Sequence, residues 1–188
     1  NNLSKGSVVQ QLIRFALPFI ISNLIQTLYS VADMVIVGQI NGTVSMSGVN
    51  IGGQITMIMT NLAMGLCAGA TVLVAQSVGA EKTQKLQKII GTLFTILAIT
   101  AVVMTVLMLA LHVPILKLIK TPAESFQEAS NYLNITALGT LFIFGYNALS
   151  AIMRGMGDSK SPLYFITIAC FTNIGLDLLL IGPFNMGA

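Results

Sequence analysis

The sequence predicts an all-α, polytopic helical membrane protein. Three observations carry that prediction: charge is scarce, apolar residues abound, and the charges cluster between long runs that hold almost none. Of 188 residues, 55% are hydrophobic and 8% charged, with a mean hydropathy of +0.86; a soluble domain carries about 25% charged residues. So thin a charged shell excludes an ordinary soluble domain, a disulfide scaffold and a disordered chain. Residues 15–80 hold one charge, Asp33; residues 89–116 and 129–153 hold none; residues 161–188 hold one, Asp177. A helix crosses the hydrocarbon core with about 20 apolar residues. The runs are long and rich in Leu, Ile and Met, without the alternation of a membrane β-barrel.

Taken in order, the first run is long enough for two helices. It divides at the polar, glycine-rich stretch Gln39, Asn41, Gly42, Thr43, Ser45, Ser47 and Gly48. The first span is set at about 13–38, and Pro18 inside it removes one helical hydrogen bond and predicts a hinge. The second, about 49–77, follows Gly48 and carries Gly52, Gly65 and Gly69, which together make two GxxxG pairs. Small residues at that spacing let helices approach closely, either as static packing or as a sliding interface. The third span is about 87–113, the fourth about 130–154, and the fifth about 162–182, opened by Pro162 and closed by Pro183. Short connections make neighbours antiparallel, so residues 1–188 form a single transmembrane helical bundle of five spans.

Basic residues orient the bundle. Lys5, Arg14, Lys82, Lys85, Lys88, Arg154 and Lys160 fall on one side; Lys117 and Lys120, offset by Glu124 and Glu128, fall on the other. The N-terminus is thereby expected in the cytoplasm of a cell (plasma or inner) membrane. The sequence pI near 9.0 reflects this topology. No basic stripe with interleaved aromatics suggests nucleic acid. The first apolar run is too long for a cleavable signal peptide. Cys67 and Cys170 lie inside spans and are expected to pack as small hydrophobes. The lone His112 has no metal-ligand partners in the sequence, and no cofactor is expected.

Two acids remain inside the spans. A charge at mid-bilayer costs at least ~2.5–3.5 kcal/mol, so such a residue faces protein or water and is a functional candidate. The alternative is a structural Asp that caps a broken helix or bonds a neighbouring Asn. Asp33 is 19 residues beyond Arg14 and Asp177 is 17 beyond Lys160, about 28 and 26 Å of helix rise. The similar depth predicts a shared site between the first and fifth helices. Ser22, Gln26, Tyr29 and Asp33 share one face of the first helix, and Asn173 sits one turn before Asp177 on the fifth. Asn50, Gln54 and Asn61 form a stripe on the second helix, and Thr136, Thr140 and Asn147 on the fourth; each stripe reads equally as interhelical hydrogen bonding. Carboxylates in low dielectric hold protons near neutral pH; with Asn and hydroxyl oxygens they also suit a hard cation such as Na⁺. Either chemistry is ion binding coupled to conformation. No nucleophile–His pair, phosphate-cradling loop or metal cluster suggests an enzyme.

Four stretches are similar to a known family: LPFIISNLIQTLYSVADMVIVGQ (17–39), GLCAGATVLVAQSVGA (65–80), NALSAIMRGMGDSKSPL (147–163) and NIGLDLLLIG (173–182). In this order they resemble the N-terminal lobe of the multidrug and toxic compound extrusion (MATE) transporters, covering five of its six helices. The resemblance implies a secondary active antiporter exporting cationic or amphipathic drugs and toxic compounds in exchange for Na⁺ or H⁺. It implies cation coupling at Asp33, Asn173 and Asp177. Gln26, Tyr29, Gln54, Asn61 and Asn147 are the cavity-lining candidates, and Pro18 the hinge. Arg154, Gly157 and Asp158 resemble a structural cytoplasmic R-x-x-G-D turn. The chain begins with Asn1 and is short by a helix and a lobe. Its expected partners are therefore the missing C-terminal lobe of the same polypeptide, the lipid bilayer and small cationic or amphipathic substrates.

Competing readings are a lipid-linked oligosaccharide flippase of related fold, a structural membrane subunit and an intramembrane aspartyl protease. A flippase for pyrophosphate lipids calls for basic residues deep in the spans, and none is present. A structural subunit leaves the two depth-matched acids unexplained. The protease reading rests on Gly155-Met156-Gly157-Asp158-Ser159-Lys160, which fits GxGDxK. A shared-proton acid pair needs two adjacent carboxylates, and Asp158 lies ~25 Å of helix rise from Asp33 and Asp177.

Overall fold

The computed structural model describes residues 8–40 and 42–181. Lys5, Asn41 and Pro183, used above for topology and boundaries, lie outside the described residues. Five helices follow one another: α1 (Val8–Ile40), α2 (Gly42–Gly79), α3 (Thr83–Leu118), α4 (Ala123–Gly155) and α5 (Lys160–Ile181). All five are long and apolar enough to cross a membrane, which makes this a multi-pass helical architecture.

The helices outrun the expected spans at almost every end. The polar stretch Gln39–Gly48, expected as a loop, is almost entirely helical: only Asn41 separates α1 from α2, and Gly42 takes φ +83° there. A lipid-adjacent turn needs its backbone groups satisfied, and continuing the helix satisfies them without water. α3 runs through Pro114 to Leu118, giving up one backbone hydrogen bond. Glu124 and Glu128, expected in an outer loop, lie on α4, with Glu124 in its first turn, where the helix dipole favours an anion. Lys117 and Arg154 occupy the last turns of α3 and α4, the complementary placement. α1 continues unbroken through Pro18, and Ser22 Oγ donates to the Pro18 carbonyl at 2.8 Å.

Three turns close in the same way. Lys82 N–H bonds the Ser77 carbonyl, Thr121 N–H that of Leu116, and Asp158 N–H that of Met153. Each is the six-to-one bond of a helix ending on a left-handed residue. Those residues are Glu81 (φ 55°), Lys120 (φ 55°) and Gly157 (φ 83°); only the last is the residue type that adopts this conformation freely.

α4 is the hub. It packs along α2 and α3, burying Ala129, Leu133, Ala137, Phe144, Ala148, Ala151 and Ile152 against Ala63, Cys67, Leu93, Leu97, Ala101 and Leu116. Thr105 Oγ1 donates to the Ala137 carbonyl at 3.0 Å and Thr71 Oγ1 to that of Ala151 at 3.2 Å, tying α3 and α2 to it. Glycine sets the α2–α4 distance at both ends. A Cβ on Gly48 would lie 2.5 Å from Glu128 Cβ, one on Gly52 2.5 Å from Tyr132 Cδ1, and one on Gly155 2.7 Å from Val74 Cβ. The second GxxxG pair, Gly65 and Gly69, has nothing within 4 Å of such a Cβ; only the first of the two pairs is an interface here. α1 lies chiefly against α5 and also along α2, while α5 touches α4 only slightly. Many large apolar side chains, among them Ile58, Phe142, Ile168 and Phe171, point outward, as a lipid-facing surface requires.

Candidate cation site

The α1–α5 contact brings the intramembrane acids together. Asp33 and Asp177 come within hydrogen-bonding reach of one another. This is the juxtaposition that their matched depth predicts. Tyr29, one turn before Asp33, lies close enough to interact electrostatically with both carboxylates. Asn173, one turn before Asp177, points its Oδ1 into a buried position where no donor meets it, and Asp177 Oδ2 is likewise buried without a donor. Neither acid forms an ion pair with Lys, Arg or His among the described residues.

Those acceptors define what the site can do. Two adjacent carboxylates in apolar surroundings cannot both stay ionised without a compensating positive charge. A buried carbonyl or carboxylate oxygen without a donor costs about 1–3 kcal/mol. The cluster is oxygen-rich, donor-poor and, among the described residues, without a protein cation. A proton shared between the acids, or a hard cation on the carboxylate and amide oxygens, answers both deficits. Among the described residues, no group of three or more His, Cys, Asp or Glu side chains could hold a metal ion; a bound cation would rest on two acids and neutral oxygens.

The other expected site residues separate into two sets. Gln26 shares the helix face of Asp33 but is exposed. Asn147 is half-buried on α4 and donates to the Ile143 carbonyl of its own helix at 2.8 Å, several turns from the acids. Gln54 and Asn61 are exposed on the side of α2 that faces away from α4; Gln54 bonds Asn50 at 2.7 Å. The structure does not bring these two to the acid pair. Thr136 and Thr140 lie on α4, with Thr140 Oγ1 donating to the Thr136 carbonyl at 3.2 Å. A groove of about 400 Å³ runs along α5, lined by Phe165, Ile168, Ala169, Thr172, Asn173 and Leu176, so Asn173 borders both the acids and this groove.

Tyr132 is the member that sequence reasoning missed. It leaves α4, crosses α2 at Gly52 and reaches the vicinity of Asp33 and Tyr29. The available signal was its position, one turn before Thr136 on the polar stripe of α4.

Asp158 has a different occupation. Its Oδ1 accepts the Lys160 and Ser161 backbone N–H groups at 3.0 and 3.1 Å, and its Oδ2 accepts the Ser161 hydroxyl at 2.5 Å. The Ser161 hydroxyl first, then the backbone donors, hold its carboxyl below the usual carboxylate range. It caps the start of α5, and no second carboxylate stands beside it among the described residues, as a protease pair requires.

Comparison with known proteins places this geometry. The MatE family model matches residues 18–179. The probable multidrug resistance protein YpnP of Bacillus subtilis is 28% identical over 186 residues, 99% of this chain and 42% of that protein. A MOP superfamily transporter from Pyrococcus furiosus, described as having a binding pocket of reversed polarity, superposes with a TM-score of 0.90 at 25% identity, over 97% of this chain and 40% of that one. An outward-facing multidrug resistance MATE family transporter gives a TM-score of 0.89 at 25% identity, over 97% and 40%. The chain thus spans about two fifths of the length of these relatives.

Proposed function

The chain belongs to the MatE family, and from that premise we propose that it forms most of one lobe of a secondary active antiporter rather than of an enzyme. The antiporter exports small cationic or amphipathic compounds, and Asp33, Asp177 and Asn173 bind the coupling cation, Na⁺ or H⁺. The chain lies in the cell membrane with its N-terminus in the cytoplasm, beside a second lobe of the same polypeptide. One observation carries the coupling site: the two intramembrane acids stand together with undonated oxygens on Asp177 and Asn173 and, among the described residues, no basic partner. Such a site is electrostatically incomplete until a cation arrives, so loading and unloading bias the α1–α5 arrangement. A cationic compound and a coupling cation then exchange because each favours a different arrangement of the same helices.

The test is transport by the intact protein in proteoliposomes. Asp33→Asn and Asp177→Asn are each expected to abolish efflux of a cationic dye driven by an imposed Na⁺ or H⁺ gradient, with insertion unchanged. Normal gradient-driven efflux in both variants sinks the proposal. Running each gradient alone identifies the ion.

A further inference from the structure

α1 and α4 face one another across a seam. No Cα of α1 comes within 8 Å of a Cα of α4 among the described residues, yet side chains span the seam at both ends. At one end Tyr132 reaches the vicinity of Asp33. At the other, the Arg154 guanidinium carbon lies 5.7 Å from the centre of the Phe19 ring. Phe19 and Asp33 are separated by about 21 Å of helix rise.

The walls between these bridges are polar. Tyr132, Thr136, Thr140, Asn147, Ser150 and Arg154 fall within about 80° of arc on α4, and Phe19, Ser22, Gln26, Tyr29 and Asp33 within about 80° on α1. Polar stripes in bundles commonly serve as glue between helices, and here Thr71 and Thr105 do so elsewhere. The seam residues behave differently. Ser22, Thr140 and Asn147 bond carbonyls of their own helices. Ser150 is 2% exposed, and its Oγ has no partner at all. On the same two helices Ser22, Thr27, Ser30 and Thr140 donate to the carbonyl four residues back. An unpartnered buried hydroxyl beside Asn147, on a stripe that leads to the acids, is a wall with hydrogen-bonding capacity to spare.

We propose that the α1–α4 seam is the route by which the coupling cation passes between the acid pair and the α4 C-terminal side of the membrane, with Arg154 seated on Phe19 as its gate. This rests on the coupling reading of Asp33 and Asp177. Arg154 is the cationic member of the stripe. Parked on the ring, it places a fixed positive charge across the mouth and repels a cation that would otherwise cross without drug exchange. A guanidinium on an aromatic face is a weak seal, released by a modest movement of α1.

The experiment uses the intact transporter in proteoliposomes without drug. Arg154→Gln and Phe19→Ala are expected to raise passive Na⁺ or H⁺ entry by about tenfold or more, within what a unit charge at a partly dry mouth supports. Adding Asp33→Asn to either variant is expected to return that entry to the basal level, which separates a route through the acids from a general leak. Independently, Ser150→Cys in a background carrying Cys67→Ala and Cys170→Ala is expected to react with a cationic methanethiosulfonate reagent added from the α4 C-terminal side, faster when Arg154→Gln is present. Unchanged cation entry in both gate variants overturns the gate. Ser150→Cys that stays unlabelled with Arg154→Gln overturns the route. Full gradient-driven coupling in Asp33→Asn is a failure of the coupling reading and is read separately from either.

Discussion

At the scale of single residues, what could be read in advance was whatever the membrane penalises. Asp33 and Asp177 stand out because a charge inside a span is costly, and Asn173 follows from its one-turn offset. Tyr132 could not be read the same way. A tyrosine in an apolar span carries no penalty, and its direction is fixed by Gly52 on another helix. Gln54 and Asn61 show a related limit of sequence: helical phase groups them on a stripe but does not say which side of α2 meets α4. Asp158 shows how local chemistry settles a motif. Its fit to GxGD is real, but its oxygens are taken by Lys160 and Ser161. Asp158→Ala is expected to destabilise the protein by about 1 kcal/mol, as loss of an N-cap does. The carboxyl is held below its usual range, so its stabilisation is complete above the ordinary carboxylate pKa. It is lost as pH falls through the depressed native value. Thermal unfolding in detergent should therefore separate wild type from Asp158→Ala at pH 7, with the gap closing below about pH 4. A gap that persists undiminished at lower pH contradicts the capping role.

At the scale of helices, number and order were legible because apolar length is a strong signal. Ends and contacts were weaker signals. Polar turns such as Thr43–Ser47 read as loop, yet the backbone is better satisfied by continuing the helix. The two GxxxG pairs look alike in sequence, but only Gly48 and Gly52 meet another helix, whereas Gly155, outside both pairs, is as tightly closed by Val74 and the Thr71 carbonyl. This gives a contrast within one residue type. Gly155→Ala must push α2 from α4 against backbone as well as side chain, and is expected to destabilise by about 1–3 kcal/mol. Gly65→Ala has open space and gains helix propensity, up to about 1 kcal/mol of stabilisation. Unfolding midpoints of the two variants should move in opposite directions. If Gly155→Ala matched Gly65→Ala, the close α2–α4 approach would be wrong.

At the scale of the whole molecule, the grouping of helices was hidden from the sequence, since lipid-facing and helix-facing apolar residues are chemically alike. The structure divides the bundle unequally: α2, α3 and α4 form a well-packed block, while α1 pairs with α5 and borders the block along α2. One acid of the pair rides on each of the loosely attached helices, so a movement of α1 against the block alters both the cation site and the seam beneath it. Pro18 sits one residue before Phe19 and lacks the N–H that would otherwise bond Arg14, which puts the weakest point of α1 next to the gate. Pro18→Ala restores that bond and removes a helix penalty of roughly 3 kcal/mol, so it favours one fixed course for α1. The acids are untouched by the change. Cation affinity is therefore expected to hold, while turnover of drug efflux falls, on the order of tenfold if as little as ~1.4 kcal/mol of that bias opposes the rate-limiting movement. Isothermal cation binding and gradient-driven efflux on the same preparation check the two halves. Unaltered turnover would show that α1 works without bending at Pro18, and a drop in cation affinity would show that the proline shapes the site itself.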